Sequence, residues 1–318
     1  MDHLSENCAK VLRWIAFCGL LLTALATSPM AAGALVTGGT GPGGFESTTS
    51  ASGLLYWLKA DAGITMDGSN KVSAWGDVSS QHNDFTQSNA IRQPTFVANA
   101  INGLPAVQFT IPGSPDYTNT QKLMLVKSTQ PQTAVIVNTT TGGHGIWGLT
   151  NPDNVTYSDK GIRGAWNYPG DPNDFTNPAG STLKVNGGNS AVRPLNMPHI
   201  LAAKRSSPIT FGPATGLGDY FILLPVSSYP PRAWAGSIGE VVVYNRALNS
   251  AEQIVLENSL SAKYGIALNT ANGALDVYAG DDLAKGDYDR DVFGIARVDA
   301  TNQVTSAGSA GFGIEAAG

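Results

Sequence analysis

Beyond residue 34 the chain contains no cysteine, since Cys8 and Cys18 both fall in the first 34 residues. Neither a disulfide nor a thiolate metal site is therefore available to the rest, which must hold together through an apolar core. Charge is also scarce: 14% of residues are Asp, Glu, Lys or Arg, the formal net charge is −5, and no Lys/Arg run occurs. The electrostatic footprint of a nucleic-acid-binding protein is missing, so nucleic acid is excluded as a partner. Long apolar runs are few. The one at 14–26 is shorter than the roughly 20 residues a membrane-spanning helix requires. Neither HExxH nor GxSxG is present, and His82, His144 and His199 are widely separated. Those absences remove the local signatures of a zinc hydrolase and of a nucleophile elbow.

What is present begins with an export signature. Lys10 and Arg13 precede the apolar run, and Met30-Ala31-Ala32-Gly33-Ala34 follows it. This is the order of a secretory signal, so 1–34 is expected to be removed after Ala32 or Ala34 and the product to be secreted or held at the cell surface. The stretch 35–53 is rich in Gly, Ser and Thr, a linker composition. It matches GxGxxG at 39–44, but no helix follows and Pro42 interrupts it, so a dinucleotide site is not expected.

From Leu54 onward, short alternating runs bounded by Gly, Pro, Asn or Ser read as strands: 54–58, 72–75, 106–109, 123–126, 134–137, 220–224 and 238–244. Many short strands at such spacing predict an antiparallel sandwich. One helix stands out. Asn249 and Glu252 form a capping-box pattern, Leu256, Leu260 and Tyr264 share a face, and Gly265-Ile266 reads as a Schellman stop. The expected fold is all-β, a two-sheet antiparallel sandwich with one short C-terminal helix and a partial β tail.

Three blocks carry a family resemblance: YWLKADAGI (56–64) with VSAWGDVS (72–79), QPTFVANAINGLPAVQF (93–109), and IGEVVVYNRALNSAEQIVLENSLSAKYGI (238–266). Together they resemble the concanavalin A-like, laminin G-like jelly-roll module of bacterial surface and secreted proteins. The resemblance spans about 54–268 and implies a jelly-roll domain, placed at 54–270, that is exported and non-catalytic. The segment 287–299 resembles one that often follows this module. Residues 271–318 are therefore expected to begin an incomplete β-unit, with docking of these strands on the main sandwich as the alternative.

Relatives of this fold include β-glucanases, which place acids in an E-x-D-x-x-E strand. No such strand exists here. The glutamates beyond residue 34 are Glu46, Glu240, Glu252, Glu257 and Glu315, and none has a carboxylate two residues away, whereas a retaining glycosidase needs two acids in one cleft. Calcium is the more plausible chemistry, since it takes six to eight hard oxygen ligands. Asp77 with Asn83 and Asp84 is one candidate; Asp281-Asp282 with Asp287, Asp289 and Asp291 is the other, although Val292 stands where an EF-hand loop has glycine. For both, turn formation and capping are the competing reading. Among aromatics, Trp57 and Trp75 lie in strand-like blocks and are expected in the core. Trp147, Trp166, Tyr168, Tyr229 and Trp234 lie among Gly, Pro and Asn, and are candidates for contact with a glycan or surface protein, or for capping the open ends of the sandwich. The expectation is a non-catalytic binding or adhesion module, with a glycoside-hydrolase-like enzyme or a structural spacer as alternatives.

Overall fold

The computed structural model describes residues 41–44, 52–111, 119–143, 145–149, 161–163, 180–190, 192–212, 215–218, 234–277, 294–297 and 303–306. Among them two antiparallel sheets pack as a sandwich, and one helix lies near the C-terminus. With strands numbered in chain order, the first sheet runs β12 (Gly188–Asn189), β11 (Ser181–Val185), β13 (Pro198–Arg205), β8 (Thr133–Gly143), β15 (Trp234–Tyr244), β6 (Leu104–Phe109) and β5 (Thr95–Ile101). β1 (Leu54–Lys59) also pairs with β15. The second sheet runs β10 (Gly161–Arg163), β9 (Gly145–Leu149), β14 (Thr215–Leu217), β7 (Leu123–Leu125), β4 (Phe85–Thr86), β3 (Val72–Trp75) and β2 (Ile64–Met66). The expected strand at 220–224 lies outside the described residues.

β15 organises the first sheet. One of its edges pairs with β8 along the strand, while the other changes partner halfway: Gly236–Ile238 pairs with β6 and Glu240–Tyr244 with β1. The register shifts between Ile238 and Glu240, at Gly239. A Cβ on Gly239 would stand 2.8 Å from the Tyr264 ring, so the strand can lie against the helix only because this residue is glycine. The Val-Val-Val-Tyr run that follows has no polar alternation because both faces are covered. Val241 and Val243 face the core between the sheets, with Tyr56, Trp75, Phe85, Phe109 and Phe211. Val242 and Tyr244 join a second core beneath the helix, with Val135, Val137, Ile200 and Ala202.

The helix, α1 (Ser250–Tyr264), forms where its caps predict. Asn249 Oδ1 accepts from Glu252 N at 3.0 Å, and Glu252 Oε2 accepts from Asn249 N at 2.7 Å. Gly265 is left-handed at φ 57°, and Ile266 N donates to Ser261 O at 3.0 Å, closing the Schellman turn. Val255, Leu256, Leu260 and Tyr264 pack on the first sheet. The hairpin turn Asn102-Gly103 between β5 and β6 adds a clamp, with Asn102 Nδ2 donating to the carbonyls of Tyr264 at 2.8 Å and Gly265 at 3.2 Å.

The helix is covered on its outer side as well. Within the stretch read as linker, Pro42–Gly44 forms a turn against α1 with Pro42 buried. The hairpin of β16 (Gly294–Arg297) and β17 (Gln303–Ser306) also packs on α1. The chain leaving the helix folds back over it: Asn258 donates to Leu275 O at 2.8 Å and accepts from Val277 N at 2.9 Å. The polar helix residues Gln253, Glu257, Asn258 and Ser261 are all buried, Asn258 beneath this returning chain. Among the described residues no helix is long and apolar enough to cross a membrane.

Candidate functional site

Asp77, Asn83 and Asp84 do come together, but as a loop tie. Asp77 Oδ1 accepts from the backbone N–H groups of Trp57 and Ser79, each at 2.8 Å, and Oδ2 accepts from Ser79 Oγ at 2.7 Å and Asn83 N at 2.9 Å. Asp84 Oδ1 accepts from Asp77 N at 2.8 Å, and Asn83 spans the gap by donating to Leu55 O at 2.6 Å. Asn83 Oδ1 accepts from Lys127 Nζ at 2.7 Å. Donors thus fill both oxygens of Asp77, one of Asp84 and that of Asn83, and a lysine ammonium sits against Asn83, so in this structure the trio forms a bracket joining β1 to the 76–84 loop, the turn-forming role that competed with calcium binding. Asp281, Asp282, Asp287, Asp289 and Asp291 lie outside the described residues.

The described glutamates are committed in the same way. Glu240, 2% exposed, accepts from Trp57 Nε1 at 2.6 Å, Lys263 Nζ at 2.7 Å and Tyr264 OH at 3.2 Å. Lys263 also pairs with Asp61 at 3.0 Å. Burial works against charge on Lys263, but Glu240 and Asp61 outweigh it and raise the lysine pKa; burial and those same carboxylates raise that of Tyr264. Glu252 takes Arg246 in a two-pronged contact of 2.8 and 2.9 Å. Glu257 accepts from Gln253 Nε2 at 2.8 Å, and its burial raises its pKa despite Lys184 at 3.8 Å.

The aromatic candidates divide. Trp147 and Trp234 are both fully buried in the inter-sheet core, which corrects their reading as loop aromatics. Trp147, on β9, donates to Tyr56 OH at 2.7 Å and packs against Phe211 at 4.9 Å. Trp234 opens β15, packs on Phe109 at 5.8 Å and donates to Thr140 Oγ1 at 3.3 Å. Trp166, Tyr168 and Tyr229 lie outside the described residues. Trp75 is in the core as expected, and half-buried Trp57 flanks the core under the helix.

The unusual chemistry gathers at the end of the sandwich where β8, β13 and β15 meet. His199 lies opposite Asn138 on β13 and β8, and it shares the inward face with Leu201 and Ala203. Thr140 Oγ1 donates to Asn138 Oδ1 at 3.0 Å, so Asn138, Thr140 and Trp234 form a bonded polar ladder beside the histidine. Beyond Pro198 the preceding segment swings over β8. Leu195 makes a parallel bridge to Thr140, Asn196 N donates to Thr140 O at 2.7 Å, and His199 Nδ1 lies 3.0 Å from Met197 O. A carbonyl only accepts, so Nδ1 carries the proton and Nε2 presents a lone pair. Nε2 is buried without a partner, and the residue is 0% exposed. Burial lowers the histidine pKa; the Met197 contact opposes this and nearby Arg193 adds to it. In the segment itself Val192, Leu195 and Met197 are 78%, 52% and 60% exposed, while Arg193 between them is buried.

Sequence reasoning did not single out this end. The one signal available was His199 in P-H-I-L-A-A-K, a polar residue in phase with inward-facing Leu201 and Ala203. No family model and no curated protein matches the chain.

Proposed function

We propose that the chain is an exported, non-catalytic binding module of the concanavalin A-like, laminin G-like kind, and that it contacts another surface protein through the end carrying Val192, Leu195 and Met197. The observation that carries the reading is that these three apolar side chains project into solvent from one short segment. Clustered exposed apolar groups favour contact with a partner surface, and the segment is bonded to β8 at its base. Aliphatic groups suit a protein surface better than a sugar, for which stacking aromatics are the usual device, and two of the aromatic candidates lie in the core. The non-catalytic part is supported by Glu240, Glu252 and Glu257, whose carboxylates are all engaged with other side chains. A general acid or base must instead face its substrate. Export is supported by the signal pattern at 1–34.

The test uses residues 35–318, immobilised, against extracellular surface proteins and a glycan array, with and without EDTA. Capture that is destroyed by protease treatment of the partner, indifferent to EDTA, and lost in Leu195→Asn/Met197→Ser with an unchanged melting temperature is the expected result. Binding that the double variant retains, or that appears only on glycans, overturns the reading.

A further inference from the structure

We propose that His199 is an acid-sensitive latch that releases the 192–197 segment when its ring takes up a second proton. The latch goes beyond the binding reading and turns on the buried His199 ring and its Met197 contact, so loss of either proposal leaves the other intact.

With Nδ1–H pointed at the Met197 carbonyl, the only place for a further proton is Nε2, which is buried and has no partner. The surroundings offer the resulting cation little. From β8 the ring faces Asn138, whose Oδ1 already accepts from Thr140, and from the segment it feels Arg193, a like charge. Beyond Thr140 stands Trp234, whose indole can only donate. The described carboxylates are elsewhere. Asp61, Glu240, Glu252 and Glu257 hold the seam with α1; Asp67, Asp77 and Asp84 tie loops; Asp276 follows the helix. Among the described residues no acceptor bonds Nε2 and no carboxylate is paired with the ring; a buried cation so placed is expensive, and the cheaper course is to hydrate it.

Hydration requires opening the sandwich end, and the element that gives way is the one held least. β13 from Pro198 to Lys204 is paired residue by residue with β8. By contrast, the ties described for the segment before it are the Asn196–Thr140 bond, the bridge at Leu195, the His199 contact and the buried Arg193, while three of its side chains are already in solvent. The sign follows from linkage. Burial and Arg193 hold the pKa of the closed form below the ordinary value, so the open form binds the proton more tightly. The closed form is therefore favoured in full above about pH 6.5 and loses that advantage as pH falls through it.

Hydrogen exchange of peptides covering 192–199 in the 35–318 chain reads the latch directly, with intrinsic rates corrected for pH. The comparison is between about pH 7.5 and about pH 5, either side of the ordinary imidazole pKa. Opening about tenfold more frequent at the lower pH, with the rest of β8 and β13 unchanged, is expected. His199→Asn keeps a donor for the Met197 carbonyl but cannot titrate, and its exchange should not change between the two pH values. Equal protection of the wild type at both pH values, or equal opening of the variant on acidification, overturns the latch. Should the variant not fold, the wild-type His199 ring decides by NMR. A midpoint below the ordinary range that coincides with the onset of exchange supports the latch, and titration at or above the ordinary value with 192–199 still protected refutes it.

Discussion

Replacing Asp77 by Asn distinguishes a loop bracket from a calcium site. The carboxylate takes four hydrogen bonds, three from backbone N–H groups and one from Ser79 Oγ. The asparagine does least damage with its NH₂ where Oδ2 was, because the Ser79 hydroxyl can turn and accept. Asn83 N then loses its partner and faces a donor, at a cost of about 1.5–3 kcal/mol, the range for bonds to charged acceptors. The bonds from Trp57 N and Ser79 N survive but now meet a neutral oxygen, which adds up to roughly 1 kcal/mol. A loss of about 3 kcal/mol lowers the melting temperature by roughly 6–12 °C in a domain of this size. Differential scanning calorimetry of wild type and Asp77→Asn, each in EDTA and in millimolar calcium, is the assay. The bracket predicts the same drop in both media and no calcium-dependent gain in the wild type. A wild-type melting temperature several degrees higher in calcium, with that gain abolished by Asp77→Asn, would refute the reasoning.

Other substitutions probe the seam between helix and sheet. Leu260→Ala removes a side chain buried beneath α1 and should cost about 2–5 kcal/mol in denaturant unfolding; a loss below about 0.5 kcal/mol, typical of surface changes, would mean the helix is not packed there. Gly239→Ala drives a methyl into the Tyr264 ring and should cost about 1–3 kcal/mol, much of it recovered in Gly239→Ala/Tyr264→Leu. Glu257 has a raised pKa in the folded state, so its folded form holds the proton more tightly and stability falls as pH rises from about 4.5. Glu257→Gln should therefore raise the melting temperature at neutral pH and flatten its pH dependence, and unchanged pH profiles would count against it.

How far the sequence discloses this molecule depends on how local each feature is. The α1 caps are written within a few residues of one another, so Asn249, Glu252 and Gly265 are legible and the structure realises each. The strands around Leu54, Val72 and Ala134 are legible because alternation and breakers mark them. Burial of Trp147 and Trp234 is not, because the Gly- and Asn-rich company that suggests a loop says nothing about Tyr56 or Thr140, their distant partners. Asp77 misleads for the same reason: sequence displays a cluster of acids, but not the N–H groups of Trp57 and Asn83 that converge on one carboxylate. The His199 end is the least legible, since the 192–197 segment becomes a strap only through its contacts with β8.

The partner change along β15 also governs when the sheet can form. β8 and β6 lie far upstream of it, and β1 lies further still, yet all three need its edges: Leu54 waits for Tyr244, and Phe109 waits for Gly236. A chain emerging N-terminus first can close its early hairpins, such as β5 with β6, but it cannot complete the central sheet or seat the helix until residues 234–264 have arrived. Such late, long-range pairing is slow, since loop closure must precede the contacts that reward it. The central sheet is therefore completed only once β15 has been made, late in synthesis, and until then β1 and β6 each lack a partner strand that the finished sheet gives them.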